Sequence, residues 1–304
     1  MEALANLQQQ APASWLQSFV AASKGRLGQL SLQQQALLIA SVTKLQPRLP
    51  RSWWQKLEDS IQTHVKQQQQ QQSQSQAHQQ QWAHASGLGR PATDSLCSLL
   101  WSFSHWPACP IRQKWLSQWL LMLVSSLQSA CCSRGAALQL LYACSSGACS
   151  QLPESGRAVT ACMAYLQPRL DTMPLIGVQL LLHCLQQVSA RGLQFPHRFM
   201  ASLEQAMVPL LPQLPSDTLL AVAAVFSSCQ HKPGRTFLSA YALVTAERMP
   251  ELCMKDIEQL VQNCGSISAA MPNLWHLAAW NQVQQRKTGM AAKATAADAS
   301  LKVK

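Results

Sequence analysis

The chain has 304 residues, is 48% hydrophobic and only 12% charged, and carries 24 Lys+Arg against 13 Asp+Glu, a formal charge of +11. Its apolar fraction excludes a wholly disordered protein, and 12 Gly with 16 Pro exclude a collagen-like one. No apolar run reaches the ~18–20 residues of a membrane span, and the basic excess points to an anionic partner such as a nucleic acid.

Glutamine, 40 residues in all, fills much of the place that charge leaves. Residues 286–304 hold five basic residues and one acid, so the rest of the chain still carries +7. The 11 cysteines include no CxxC pair. Cys97, Cys144, Cys162, Cys184 and Cys229 lie in apolar stretches and read as small buried residues rather than metal ligands or nucleophiles. No metal or cofactor is expected. Glu2 and the absence of Lys or Arg before Lys24 do not fit a signal or transit peptide.

In chain order, the recurring element is a proline followed by a polar or basic pair and then an aromatic residue or leucine. Pro12 leads to Trp15-Leu16, Pro50 to Trp53-Trp54, and Pro110 to Trp115-Leu116. Pro153 leads only to Ala158-Val159, Pro196 to Phe199-Met200, Pro233 to Phe237-Leu238, and Pro272 to Leu274-Trp275. The spacings are 38, 60, 43, 43, 37 and 39 residues. The long one contains the glutamine tract at 67–81, and removing about 22 residues restores the period.

Upstream of each proline lies a second apolar segment, among them Leu37-Leu38-Ile39-Ala40, Leu99-Leu100-Trp101-Ser102-Phe103 and Leu140-Leu141-Tyr142-Ala143. Leu and Ala favour helix, and Trp115, Trp119, Leu123 and Leu127 step by four. Each unit therefore reads as a helix pair, A then B, with full pairs starting near Ser31, Ala92, Ser133, Pro174, Pro215 and Cys253. A B helix over 12–22 and a stub of its A helix over 3–7 precede them, without a polar cap, so a truncated start is expected.

A single pair cannot bury its apolar face, whereas stacked pairs can. The expected fold is all-α, an α-solenoid of tandem helix pairs with a ~38–43-residue repeat, like armadillo, tetratricopeptide and pentatricopeptide superhelices. Its expected organisation is a partial and a full repeat over 1–66, a disordered Gln-rich insertion over 67–91, five helical pairs over 92–284, and a disordered basic Ala/Lys tail over 285–304.

The Pro…Trp-Leu signature and the Leu-Leu-Trp run resemble the octotricopeptide repeat, a helix-pair repeat. They are also similar to the leucine-rich repeat region of FAST-kinase-like proteins and chloroplast translation factors. The resemblance covers about residues 1–284 and lacks the Glu of the family signature. No RAP domain is expected, since an Ala/Lys tail follows Val283. A kinase finds no support, because a GxGxxG loop and an HRD–DFG pair are missing. The resemblance implies a non-enzymatic organellar factor, of chloroplast or mitochondrion, that binds single-stranded mRNA or rRNA and acts in RNA processing, stability, splicing or translation.

Independently of the resemblance, basic residues cluster beside the repeat prolines: Arg51, Arg112, Lys114, Arg157, Arg198, Lys232 and Arg235. They sit at the N-terminal turn of helix B, where the helix dipole disfavours cations by ~0.3–1 kcal/mol each. Stacked in register, they would line one edge, with Arg side chains and free N–H groups facing phosphates. By analogy with repeat proteins that read about one base per repeat, their neighbours Ser52, Gln113, Ser155, His197, Thr236 and Asn273 would read bases. Trp53, Trp115 and Trp275 read as core anchors. His183, His231 and His276 read as packing or surface residues. The alternative function is an α-solenoid scaffold for proteins, without RNA contact.

Overall fold

A computed structural model describes residues 12–45, 49–78, 88–106, 111–267, 275–286 and 288. Every regular element among them is helical, so the all-α expectation holds. The chain divides into two compact units, 1–169 and 170–304.

The first unit contains α1 (Ala13–Arg26), α2 (Leu32–Leu45), α3 (Arg51–His78), α4 (Arg90–Ser104), α5 (Gln113–Gln128), α6 (Arg134–Ser145) and α7 (Ser155–Leu166). Helix α4 lies between α2 and α6, α1 packs on α3, and α5 packs on α7. Alternate helices thus form two sets, matching the A and B elements of the sequence. The core is the set of positions that the 3.6-residue period turns inward. Leu99, Leu100 and Phe103 of α4, Leu140 and Leu141 of α6, and Trp119, Leu120 and Leu123 of α5 are all fully buried. Each such side chain stabilises the fold by roughly 1.5–3 kcal/mol.

The second unit contains α8 (Leu175–Ala190), α9 (His197–Met207), α10 (Ser216–Ser228), α11 (Arg235–Arg248), α12 (Met254–Ile267) and α13 (275–286). Helix α10 lies between α8 and α12.

Two repeat prolines stand at helix N-caps, and Pro153 and Pro233 each stand one residue before an N-cap. Pro12 precedes α1 and Pro196 precedes α9, with ψ of 140° and 129°. The extended backbone that an N-cap needs is the one proline's fixed φ and missing N–H allow.

Polar bonds recur at equal sequence separations, some within one unit and one kind in both. Trp53 Nε1 donates to Ser23 Oγ at 3.0 Å, and Trp275 Nε1 donates to Thr245 Oγ1 at 2.8 Å, each across 30 residues. Arg248 reaches the Pro212 carbonyl and Arg286 the Pro250 carbonyl, each across 36 residues. Asp94 accepts from the Ser133 N–H, and Thr218 Oγ1 from Gln179, each across 39.

Two expectations need correction. The insertion expected from residue 67 is helical through His78, as the continuation of α3. Glutamine is a good helix former, and a helix already nucleated by the buried Trp53, Leu57, Ile61 and Val65 propagates at little cost. Gln69 Nε2 also lies 2.9 Å from Met122 Sδ of α5. The tail expected from 285 loses its first residues to α13, where Arg286 is bonded. The stub over 3–7, the repeat prolines Pro110 and Pro272, Asn273 and the rest of the tail lie outside the described residues.

Candidate nucleic-acid interface

The B helices α1, α3, α5, α7, α9 and α11 have no acidic residue in their first turns. That pattern is unfavourable for a helix on its own, because carboxylates complement the N-terminal dipole. Among the A helices, α10 and α12 carry Asp217 and Asp256 there, whereas α2, α4, α6 and α8 carry no acid either.

All seven basic residues named from the sequence are exposed: Arg51, Arg112, Lys114 and Arg157 in the first unit, and Arg198, Lys232 and Arg235 in the second. Arg51, Arg157, Lys232 and Arg235 make no hydrogen bond or ion pair with another described residue. Arg112 differs. As the N-cap residue of α5, it directs Nε to Glu58 Oε1 at 2.8 Å, and Glu58 is buried. Its guanidinium also lies 5.6 Å from the Trp115 ring centre, with Lys114 Nζ at 5.8 Å. Arg112 is thus partly spent on tying α3 to α5.

The Glu58–Arg112 bond has counterparts. Ser117 of α5 donates to Glu154, the N-cap residue of α7, at 2.9 Å. Glu204 of α9 accepts from the Gly234 N–H, at the N-cap of α11, at 2.8 Å and faces His231 Nε2 at 3.0 Å. Glu58, Ser117 and Glu204 thus tie α3 to the start of α5, α5 to the start of α7, and α9 to the start of α11. The expectation of free N–H groups at these turns is corrected at Gly234, whose N–H is already satisfied.

The other neighbours divide. Gln113, His197 and Thr236 are exposed. Ser52 is exposed but accepts from Lys24 Nζ at 3.0 Å, which brings a further cation beside Arg51. Sequence reasoning missed Lys24 because it ends the preceding helix. Ser155 is fully buried and donates to the Cys144 carbonyl at 3.1 Å, so it cannot touch a base. It packs there because α7 starts against α6. Trp53 and Trp275 are core residues as expected, at 0% and 2% exposure. Trp115 is only half-buried, and Trp119 one turn later is the anchor of α5. His183 and His276 are exposed, whereas His231 is buried against Glu204.

The cysteines form no disulfide among the described residues, and no group of His, Cys, Asp or Glu there could hold a metal. Burial raises the thiol of Cys97 well above its ordinary value, with the neighbouring Cys132 adding to the effect. Burial also pushes Cys264 up to about 12. Such thiols are inert as nucleophiles. No helix among the described residues is long and apolar enough to cross a membrane.

No protein-family model matches the chain, nor does a curated protein or a solved structure.

Proposed function

We propose that the chain is an α-solenoid of helix pairs that binds single-stranded RNA through the first turns of its B helices, and that it serves in post-transcriptional regulation of organellar transcripts. The observation that carries this reading is a run of exposed cations, four of the seven without a side-chain partner among the described residues, at helices with no acid in the first turn. Folding stability would favour the opposite charge there. Arg51 with Lys24, Lys114, Arg157, Arg198, Lys232 and Arg235 supply the phosphate contacts, and Arg112 contributes beside its bond to Glu58. Such contacts position a nucleic acid without specifying its sequence.

Gel shifts with an unstructured RNA and with an RNA duplex of the same length test the reading. Binding of the single strand, weakened by Arg51→Ala, Arg157→Ala and Arg235→Ala together, is expected. Absence of binding at low salt overturns it. Import of the full-length protein into isolated chloroplasts and mitochondria tests the compartment.

A protein-binding scaffold is the second reading, and it rests on apolar residues left exposed in the second unit: Ile176 at 75%, Leu243 at 63% and Trp280 at 62%. It predicts that pull-downs recover the same partners after nuclease treatment.

A further inference from the structure

Three aromatic side chains of the first unit lie outside its fully buried core. Trp101 of α4 and Tyr142 of α6 are half-buried, and His105, the C-cap residue of α4, is exposed. They touch one another. The His105 and Tyr142 rings are stacked, 5.1 Å between centres and 9° from parallel. Trp101 meets His105 edge-on at 4.6 Å and Tyr142 at 6.5 Å. His105 Nδ1 lies 2.8 Å from the Trp101 carbonyl. A carbonyl can only accept, so Nδ1 carries the proton. In the neutral ring Nε2 is then left as an acceptor.

The core does not require these rings. Trp53, Phe103 and Trp119 in the same unit are fully buried and fill it. Trp101 and Tyr142 each follow a fully buried leucine pair, Leu99-Leu100 and Leu140-Leu141, and stand 41 residues apart. The leucines set the register, and the next residue of each helix is turned outward. The aromatic residues at both outward positions, with His105 stacked on Tyr142 and edge-on to Trp101, form one cluster of contacting rings.

The position of this surface matters. It lies at the C-terminal ends of the A helices α4 and α6. Trp54, in the first turn of α3, meets Phe103 and Trp106 at that end of α4. The N-terminal turn of α3 is thus beside that end of α4, and Arg112 at the start of α5 is bonded to Glu58 of the same α3. The rank therefore shares its end of the unit with Arg51, Arg112 and Lys114.

Charge reinforces the placement. Residues 1–169 hold 13 of the 24 basic residues and five of the 13 acids, a formal +8. Of those acids, Glu58, Glu154 and Asp94 are engaged by Arg112, Ser117 and the Ser133 N–H.

We infer that Trp101, His105 and Tyr142 form a stacking platform for unpaired nucleobases, set beside the phosphate-binding turns of the first unit. The inference rests on the RNA-binding reading and adds what the cations cannot supply, a preference for bases over a bare polyanion. Aromatic rings beside a basic track are how single strands are held without sequence preference, because every base has a π face. A duplex would be refused, since its bases are already stacked.

The test uses the full chain, a fluorescein-labelled 12-nucleotide single-stranded RNA and an abasic ribose-phosphate oligomer of equal length. Trp101→Leu with Tyr142→Leu keeps apolar side chains and removes the π faces. It is expected to weaken RNA binding about 10- to 100-fold, to leave the salt dependence unchanged, and to abolish the preference for RNA over the abasic oligomer. Trp101→Phe should retain binding. His105→Ala, at an exposed ring, tests the same surface without disturbing the core and should also weaken binding. In the unaltered protein, RNA carrying 4-thiouridine should crosslink to residues 99–106 or 140–143.

Unchanged affinity in these variants, with Arg51→Ala still weakening binding, overturns the platform and leaves the RNA-binding reading intact. So do crosslinks confined to the B-helix turns. No RNA binding at low salt overturns both. RNA-independent capture of a protein partner that the leucine variants abolish also overturns the platform, in favour of a protein-binding face.

Discussion

Replacing Trp53 by Phe removes one of the two repeated indole bonds and part of a buried ring. Trp53 is fully buried, its ring meets Trp54 edge-on at 5.3 Å, and its Nε1 donates to Ser23 Oγ at 3.0 Å. Losing that hydrogen bond costs about 1 kcal/mol, because the half-buried Ser23 hydroxyl also donates to Val20 and can take up water. The smaller ring buries about 40 Å² less apolar surface, about 1 kcal/mol. The roughly 40 Å³ left empty adds about 1 kcal/mol. The sum is about 2–3 kcal/mol, or a fall in Tm of about 4–10 °C for a unit of this size. Thermal melts followed by helical circular dichroism measure it, with Trp15→Phe, at a 38% exposed position, as control. Equal Tm for the two variants would refute the claim that this indole locks α3 to α1. Trp275→Phe should repeat the loss, since its bond to Thr245 has the same separation.

Three further outcomes are expected. Ala130 and Gln230 adopt φ of 55° and 51° just after α5 and α10, where the following N–H groups close back on Ser126 and Phe226. Glycine suits that cap, so Ala130→Gly and Gln230→Gly should each raise stability by about 0.5–1 kcal/mol, while Gly192→Ala, at φ 75°, should lower it, all read by urea denaturation. Because burial holds the Cys264 thiol protonated up to about 12, the unfolded chain releases that proton first as pH rises. Stability is therefore full below about pH 9 and falls toward pH 12, by up to about 1.4 kcal/mol per pH unit from this group; Cys264→Ala should flatten that slope in melts from pH 8 to 11. Glu58→Gln leaves Arg112 without its ionic partner but keeps a hydrogen-bond acceptor, so RNA affinity should stay equal or rise while Tm falls; a clear loss of RNA affinity would show that the pair positions Arg112 for the ligand.

The helices were legible because buried leucines at 3.6-residue spacing mark them, and Leu99-Leu100 and Leu140-Leu141 are such marks. The glutamine tract misled because its composition reads as a solvated insertion, whereas continuation of a helix depends on the nucleus before it, here Trp53 to Val65. Trp115 and Trp119 share one stripe, so their pattern alone could not show which is buried; the first turn lies at the rim and the second inside. Ser155 stood beside Arg157 like the other polar neighbours, but the contact of α7 with α6 turned it inward. The aromatic rank had a sequence signal, the residue after each leucine pair. Apolar residues on every side of these A helices hide which ring faces outward.

The salt dependence of RNA affinity tests the central claim most directly. Fluorescence anisotropy of a single-stranded RNA against the full chain from 50 to 300 mM salt is expected to give a straight log–log fall, with a slope of about −0.7 for each phosphate contacted. Arg198→Ala, Lys232→Ala and Arg235→Ala together should reduce its magnitude by about 2. A slope that these substitutions leave unchanged, or affinity indifferent to salt, would contradict the account.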